Sequence, residues 1–498
     1  MPIPRGVFLL TLATTILGSS SLLSADEPVG IDPLDAAIPN DALKLAFKND
    51  APLIFVARGT NAAEWEKLPK YWNEGTEEVL DPSTGQKVTR RVVKIKVPLG
   101  LASAPPIPSS NPMTVAKWEL GKRLYYDKTL STNGRVACAT CHAPEKGFTD
   151  QRKTSLGINE ALGGINSPTV INSAYNALQF WDGRAQLLED QAQGPVGNPS
   201  EMFGGKGDPW EEAILRLRAN ADYTKWFQKI FGHLPTRDAA AKAIATYERT
   251  VLSGNSIYDR ADVAMRKRVK EEETGKYELT AADFTAVVKD AFTAQDTDAL
   301  KALVLDPAKD ATKSEAVGKS LVNGRNLFFN KARCTSCHTG DNFTDNQFHN
   351  LGVGAKDGHL PKIEAGRYAA MPTGQKDHLL MGAFKTPGLR SLMTTAPYLH
   401  SGEEKTLEAV VDFYDRGGNV NEFLDIKMRD VAAEEAYLKH PDDKSPKPFL
   451  TRGGRPIIPF KLNLTATEKA DLVLFMKALQ GDAIDPLVAD PAMFPTTK

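Results

Sequence analysis

A chain of 498 residues exceeds the ~250 to 300 residues at which a single hydrophobic core stops growing, so two or three domains are expected. Its 41% apolar and 25% charged residues describe an ordinary globular composition. The 61 basic and 62 acidic side chains leave a formal charge of -1, which excludes the broad positive field that gathers nucleic acid or coats an anionic membrane. Partners must be met through local patches.

At the start of the chain, Arg5 precedes an apolar run from Val7 to Leu17 and a small, polar stretch from Gly18 to Ser21. This pattern reads as an export signal over residues 1–25, cleaved near Ala25, and it implies a periplasmic protein. The run falls short of the ~20 apolar residues a membrane span needs, and no later segment reaches that length. Residues 26–110 form an N-terminal extension and linker. Within it, Val79 and Leu80, a turn over Asp81 to Gly85, and the run Val92 to Val97 predict a hairpin, while Pro105 to Pro112 reads as a linker.

All four cysteines lie in two identical arrangements, Cys138-Ala139-Thr140-Cys141-His142 and Cys334-Thr335-Ser336-Cys337-His338. C-x-x-C-H is the attachment site of c-type haem: two thiols on one turn form thioethers with the vinyl groups, and the adjacent imidazole reaches the iron. A single copy would also suit half a zinc site or a thiol redox pair. Two copies, each with its histidine, in an exported chain without other cysteines select two covalent haems.

The chain repeats itself around these sites. Gly121 to Lys128 precedes the first as Gly324 to Lys331 precedes the second, and Phe-Thr-Asp follows each, at 148–150 and 343–345. Pro168 and Pro387 then align without gaps through Leu188-Glu189 and Leu407-Glu408. An amphipathic helix closes each copy: Asp238 to Leu252, with Ile244, Tyr247 and Val251 on one face, and Thr465 to Leu479, with Leu472, Phe475 and Leu479. Thr465 and Glu468 form a capping box at the start of the second. The expected fold is mainly α: two tandem cytochrome c-like domains, 111–255 and 317–498, each with one covalent haem, plus an extension with some β. Between them, residues 256–316 are a charged, helix-prone insertion, most charged at Arg266 to Glu273, which reads as a solvated helical spur.

The sixth iron ligands decide between electron carriage and chemistry at an open iron. No histidine lies between 143 and 232, and no methionine occurs there before Met202. The second copy offers His349, His359, Met371, His378, Met381, Met393, His400 and Tyr414. In the repeat register Pro195 corresponds to Tyr414, each 27 residues after its proline anchor. Proline cannot bind iron, whereas a phenolate can; Tyr414 reads equally as a core aromatic of a helix from Leu407 to Tyr414.

The segments Asn166 to Asn172, Phe180-Trp-Asp-Gly-Arg184, Leu188 to Ala192, Gly194-Pro195, Asn198 to Met202, Phe384 to Arg390 and Thr395 to His400 resemble the signature segments of bacterial dihaem cytochrome c peroxidases and MauG. The likeness covers roughly 113–255 and 317–480, leaving out the extension and the insertion. It implies a peroxidase that reacts with hydrogen peroxide at the first haem, with Gln191 and Glu201 lining the peroxide pocket, Trp181 between the haems, and a calcium ion held by Asn166, Thr395 and Pro397. Glu201 is the candidate acid and base, because peroxide cleavage needs a proton moved from one oxygen to the other. Ordinary members carry a blocking histidine after the first haem motif, where Asp150 to Ile165 has none, and a methionine where Tyr414 stands. Both departures are similar to MauG, in which a tyrosine-ligated second haem shares the oxidising equivalents and a protein is oxidised. The other readings are a peroxide reductase fed by a small cytochrome c or copper protein, and a dihaem electron carrier without catalysis.

Overall fold

The computed structural model describes residues 50–80, 85–441 and 447–495. The expected export signal at 1–25, and residues 81–84 of the expected hairpin turn, lie outside the described residues. The described chain is mainly helical, with three small sheets, and no helix in it is long and apolar enough to cross a membrane.

The expected hairpin is present: β2 (Trp72–Leu80) pairs antiparallel with β3 (Lys87–Lys96), from Trp72 opposite Ile95 to Leu80 opposite Lys87. A third strand, β1 (Leu53–Val56), pairs parallel with β3 on its other edge. A small sheet is marginal unless one face packs on something larger. Here Leu53, Phe55, Val93, Ile95 and Val97 enter the same core as Trp118, Tyr125, Ile244 and Tyr247, so the extension is part of the first core.

Each half is organised by one crossing of two helices. In the first, Val115–Tyr126, capped by Thr114, lies across Arg237–Glu248. In the second, Ser314–Phe329 lies across Ala466–Lys477, which begins with the expected Thr465 and Glu468 capping box. The glycines that open the repeated segments sit at these crossings. A Cβ on Gly121 would come within 1.8 Å of the Ala243 carbonyl oxygen, and one on Gly324 within 2.0 Å of that of Asp471. The first closing helix ends at Glu248, not at Leu252 as expected, because the N–H groups of Thr250 and Val251 bond three residues back and tighten the last turn. Val251 and Leu252 stay buried all the same.

The insertion is not a solvated spur. Its helices Ile257–Glu271, Ala281–Thr293 and Thr297–Ala302 bury Met265, Val269, Phe284, Val288 and Leu300 in a core shared with Leu321 and Ala478 of the second half. The charges from Arg266 to Glu273 are largely exposed, while Met265 and Val269, four residues apart, form the inward stripe. Asp259 at the start of the insertion meets Arg390 in a buried ion pair at 2.7 Å, and Arg390 also donates to the Gly100 carbonyl at 2.9 Å. Extension, insertion and second half are thereby tied at one point.

Candidate haem sites

The two cysteine pairs lie on single helical turns, Cys138–Cys141 and Cys334–Ser336, and all four thiols are free. The turns close alike: His142 N–H donates to the Cys138 carbonyl at 3.0 Å and His338 N–H to that of Cys334 at 2.9 Å. Both imidazoles are half-buried, and desolvation lowers their pKa, which favours the neutral ring. Nδ1 of His142 faces the Phe148 carbonyl at 3.3 Å and Ser167 Oγ at 3.1 Å, and Nδ1 of His338 faces the Phe343 carbonyl at 2.8 Å. The two carbonyls belong to the first residues of the duplicated Phe-Thr-Asp segments. A carbonyl on Nδ1 places the proton there and leaves Nε2 as the donor to a metal. Nε2 of His142 has only a 3.5 Å contact with Ser167 Oγ, and that of His338 has no hydrogen bond among the described residues.

One cavity of about 280 Å³ takes in His142 and Gln191 of the first half and Cys334, Cys337, His338 and Tyr414 of the second. Burial pushes the Cys141 thiol up to about 11 and that of Cys334 to about 12. These are neutral thiols, not the thiolates that zinc or redox exchange requires. Paired thiols on one turn, an adjacent imidazole with Nε2 exposed to a cavity, and a repeat of the whole set fit two c-type haems.

Trp181 also lines the cavity, its Nε1 donating to the Asn166 carbonyl at 2.9 Å and its own carbonyl accepting from Lys385 N–H at 2.8 Å. It therefore stands where the two halves meet. Asn166, Thr395 and Pro397 share the cavity wall. Asn166 Nδ2 donates to the Arg152 carbonyl at 2.8 Å, and its Oδ1 has no hydrogen bond among the described residues. Glu201 is not on that wall. Its carboxyl accepts from Asn198 Nδ2, burial raises its pKa, and its charge is felt at both Cys138 and Cys141.

Among the second-half ligand candidates the structure discriminates. His349 has both nitrogens engaged, Nδ1 by Asp425 at 2.7 Å and Nε2 by Asp345 at 2.9 Å. His400 Nε2 pairs with Glu364, and its ring stacks on Phe384. His359, His378 and Met393 are exposed, and neither Met371 nor Met381 reaches the cavity. Tyr414, on the helix Leu407–Asp415, lines the cavity without a hydrogen bond to its hydroxyl among the described residues, while its neighbour Phe413 takes the core position at 1% exposure. Met428 and Met476 reach the wall as well.

Two cavity residues escaped the sequence reading. Lys385 is buried with no carboxylate partner among the described residues, and burial lowers its ammonium to about 8. Glu248 is buried at the end of the first closing helix. Its signal was present, since Ala241, Ile244, Ala245 and Glu248 follow the i, i+3, i+4, i+7 spacing of one buried face.

Comparison with known proteins agrees with this geometry. Residues 115–267 match the family model described as di-haem cytochrome c peroxidase. The methylamine utilization protein MauG of Methylorubrum extorquens is 30% identical over 66% of this chain and 77% of its own length. The cytochrome-c peroxidase IdrP1 of Pseudomonas sp. strain SCT is 30% identical over 80% of this chain and 89% of its own. A crystal structure of a MauG-like protein associated with microbial copper homeostasis superposes with a TM-score of 0.54 at 27% identity, over 78% of this chain and 97% of that one. The class is thus that of peroxidase-type oxidoreductases carrying two haems. The chain belongs to the dihaem cytochrome c peroxidase and MauG family, and its relatives include the MauG-like branch.

Proposed function

We propose that this chain is an exported, periplasmic MauG-like peroxidase with two tandem cytochrome c-like domains, 111–255 and 317–498. Cys138, Cys141 and His142 hold one c-type haem, and Cys334, Cys337 and His338 the other. The first iron is open to hydrogen peroxide and the second is closed by Tyr414. The observation that carries this reading is the asymmetry of the repeat: Tyr414 offers a free hydroxyl to the cavity that holds His338, where its counterpart Pro195 offers no donor.

Bound haem supplies the redox chemistry, and the protein supplies geometry and protons. The Phe148 and Phe343 carbonyls keep the imidazoles in one tautomer. Glu201 accepts a proton from one peroxide oxygen and returns it to the departing one, and Gln191 holds the peroxide by its amide. Trp181 offers an oxidisable indole on the path between the halves. A calcium ion bound by Asn166, Thr395 and Pro397 fixes the position of one half on the other, using hard oxygen donors. The reducing equivalents come from an electron-donor protein or from an oxidisable protein substrate.

Addition of peroxide to the ferric protein tests this. A long-lived oxidised spectrum without any donor supports the MauG-like reading. Rapid return to the ferric spectrum only with a reduced cytochrome or copper protein supports a reductase, and an unchanged spectrum supports a carrier.

A further inference from the structure

Glu248 is 5% exposed, and its Oε2 is buried with no hydrogen-bond partner among the described residues. The adjacent Arg249 gives it no hydrogen bond, because that guanidinium is committed to Glu189 at 3.1 and 3.2 Å and to the Pro106 carbonyl at 2.9 Å, and its charge only partly offsets the effect of burial. The other titratable groups around it are the Cys138 thiol and the phenols of Tyr125 and Tyr247. A buried carboxylate without a cation is strongly disfavoured, so the group keeps its proton. Burial holds its pKa up, to about 8.

A neutral buried acid needs an acceptor for its O–H. Glu248 lines the cavity together with His142, Leu188 and Gln191, so the acceptor lies in that space. Among the described residues no protein group pairs with its Oε2. The remaining acceptor is a small oxygen species, water or hydrogen peroxide.

We propose that Glu248 is a second acid of the first haem pocket, donating its proton to water or peroxide held beside Gln191. This rests on the reading of the first haem as the peroxide site. Reduction breaks one O–O bond and follows H2O2 + 2 H⁺ + 2 e⁻ → 2 H2O, with the two electrons from the donor protein or the oxidised substrate. The relay through Glu201 moves a proton between the two peroxide oxygens and supplies none net. Glu248 delivers one of the two consumed protons and regains it from cavity water.

The test uses the haem-loaded protein. Infrared spectra of the ferric Glu201→Gln protein in H2O and D2O should show the C=O band of a neutral carboxylic acid at pH 7, and the band should vanish when Glu248→Gln is added. Stopped-flow turnover with peroxide and a reduced donor should slow on the order of 100-fold in Glu248→Gln, the low end for a lost acid-base group. Absence of the band, or wild-type turnover in Glu248→Gln beside a slow Glu201→Gln, overturns the proposal and leaves the peroxide site standing. A wild-type protein that ignores peroxide overturns both. Should Glu248→Gln lose haem, the band in the Glu201→Gln protein alone decides: bleaching when peroxide is added supports the proposal, and absence overturns it.

Discussion

The two haem pockets hold their imidazoles in the same way and differ in what faces the cavity around them. On the histidine side, duplication kept a cysteine turn, an imidazole and a phenylalanine carbonyl on Nδ1. On the first side the cavity wall carries the Glu248 carboxyl and the Gln191 amide, Glu201 lies off that wall, and burial raises the pKa of both carboxyl groups. Around the second stand the Tyr414 phenol and a locked charge cluster. Burial alone would lower the His349 pKa, but Asp425, Cys337 and Asp345 raise it to about 10, so an imidazolium held between two carboxylates is not a ligand. In the proposed reading, attachment is common to the two halves and reactivity follows from the residues the repeat does not share.

The comparison breaks most severely at Glu201. Glu201→Gln should leave both haems attached and slow the reaction with peroxide by about 100-fold or more. Because burial raises this pKa, the carboxylate that accepts the first proton forms at higher pH than in an ordinary glutamate. The wild-type rate should therefore climb with pH beyond the usual carboxyl range, and Glu201→Gln should flatten the climb.

Changing Tyr414 acts on the other pocket. Tyr414→Phe should shift the second haem toward high spin or water ligation, and Tyr414→Met should raise its reduction potential, since a neutral thioether supports ferrous iron better than a phenolate. Both should abolish the long-lived oxidised state and spare the first reaction with peroxide. A tyrosine that only filled the core would cost about 1 kcal/mol as phenylalanine and leave both spectra unchanged.

A smaller effect is expected where the halves meet. Asn166 and Thr395 come from different copies of the repeat and share one cavity wall, so removing calcium with a chelator should perturb both haem spectra together. Full activity and unchanged spectra in calcium-free protein would assign these residues to shaping loops alone.

Much of this arrangement was legible in the sequence because covalent haem attachment demands a fixed local spacing, and because a duplicated chain supplies its own alignment. The Pro195 and Tyr414 pair came from that register, and the repeated Phe-Thr-Asp segments were visible before their carbonyls had a purpose. What escaped depends on distant partners. The parallel pairing of Leu53 with Val93 leaves no local trace, and the insertion looked solvated because its charges hide the narrow stripe of Met265 and Val269. Glu248 lies on the buried face of its helix, but only the structure shows that Arg249 is committed to Glu189 instead. His349 and His400 looked like iron ligands by residue type, and only the carboxylates of Asp345, Asp425 and Glu364 remove them.

Electron paramagnetic resonance of the ferric protein, taken as isolated and without reductive activation, tests the central asymmetry most directly. An open first iron and a tyrosine-closed second iron predict one high-spin and one low-spin haem in equal amounts. Two low-spin signals that persist across pH would contradict the account, because they would require a sixth ligand in the first pocket.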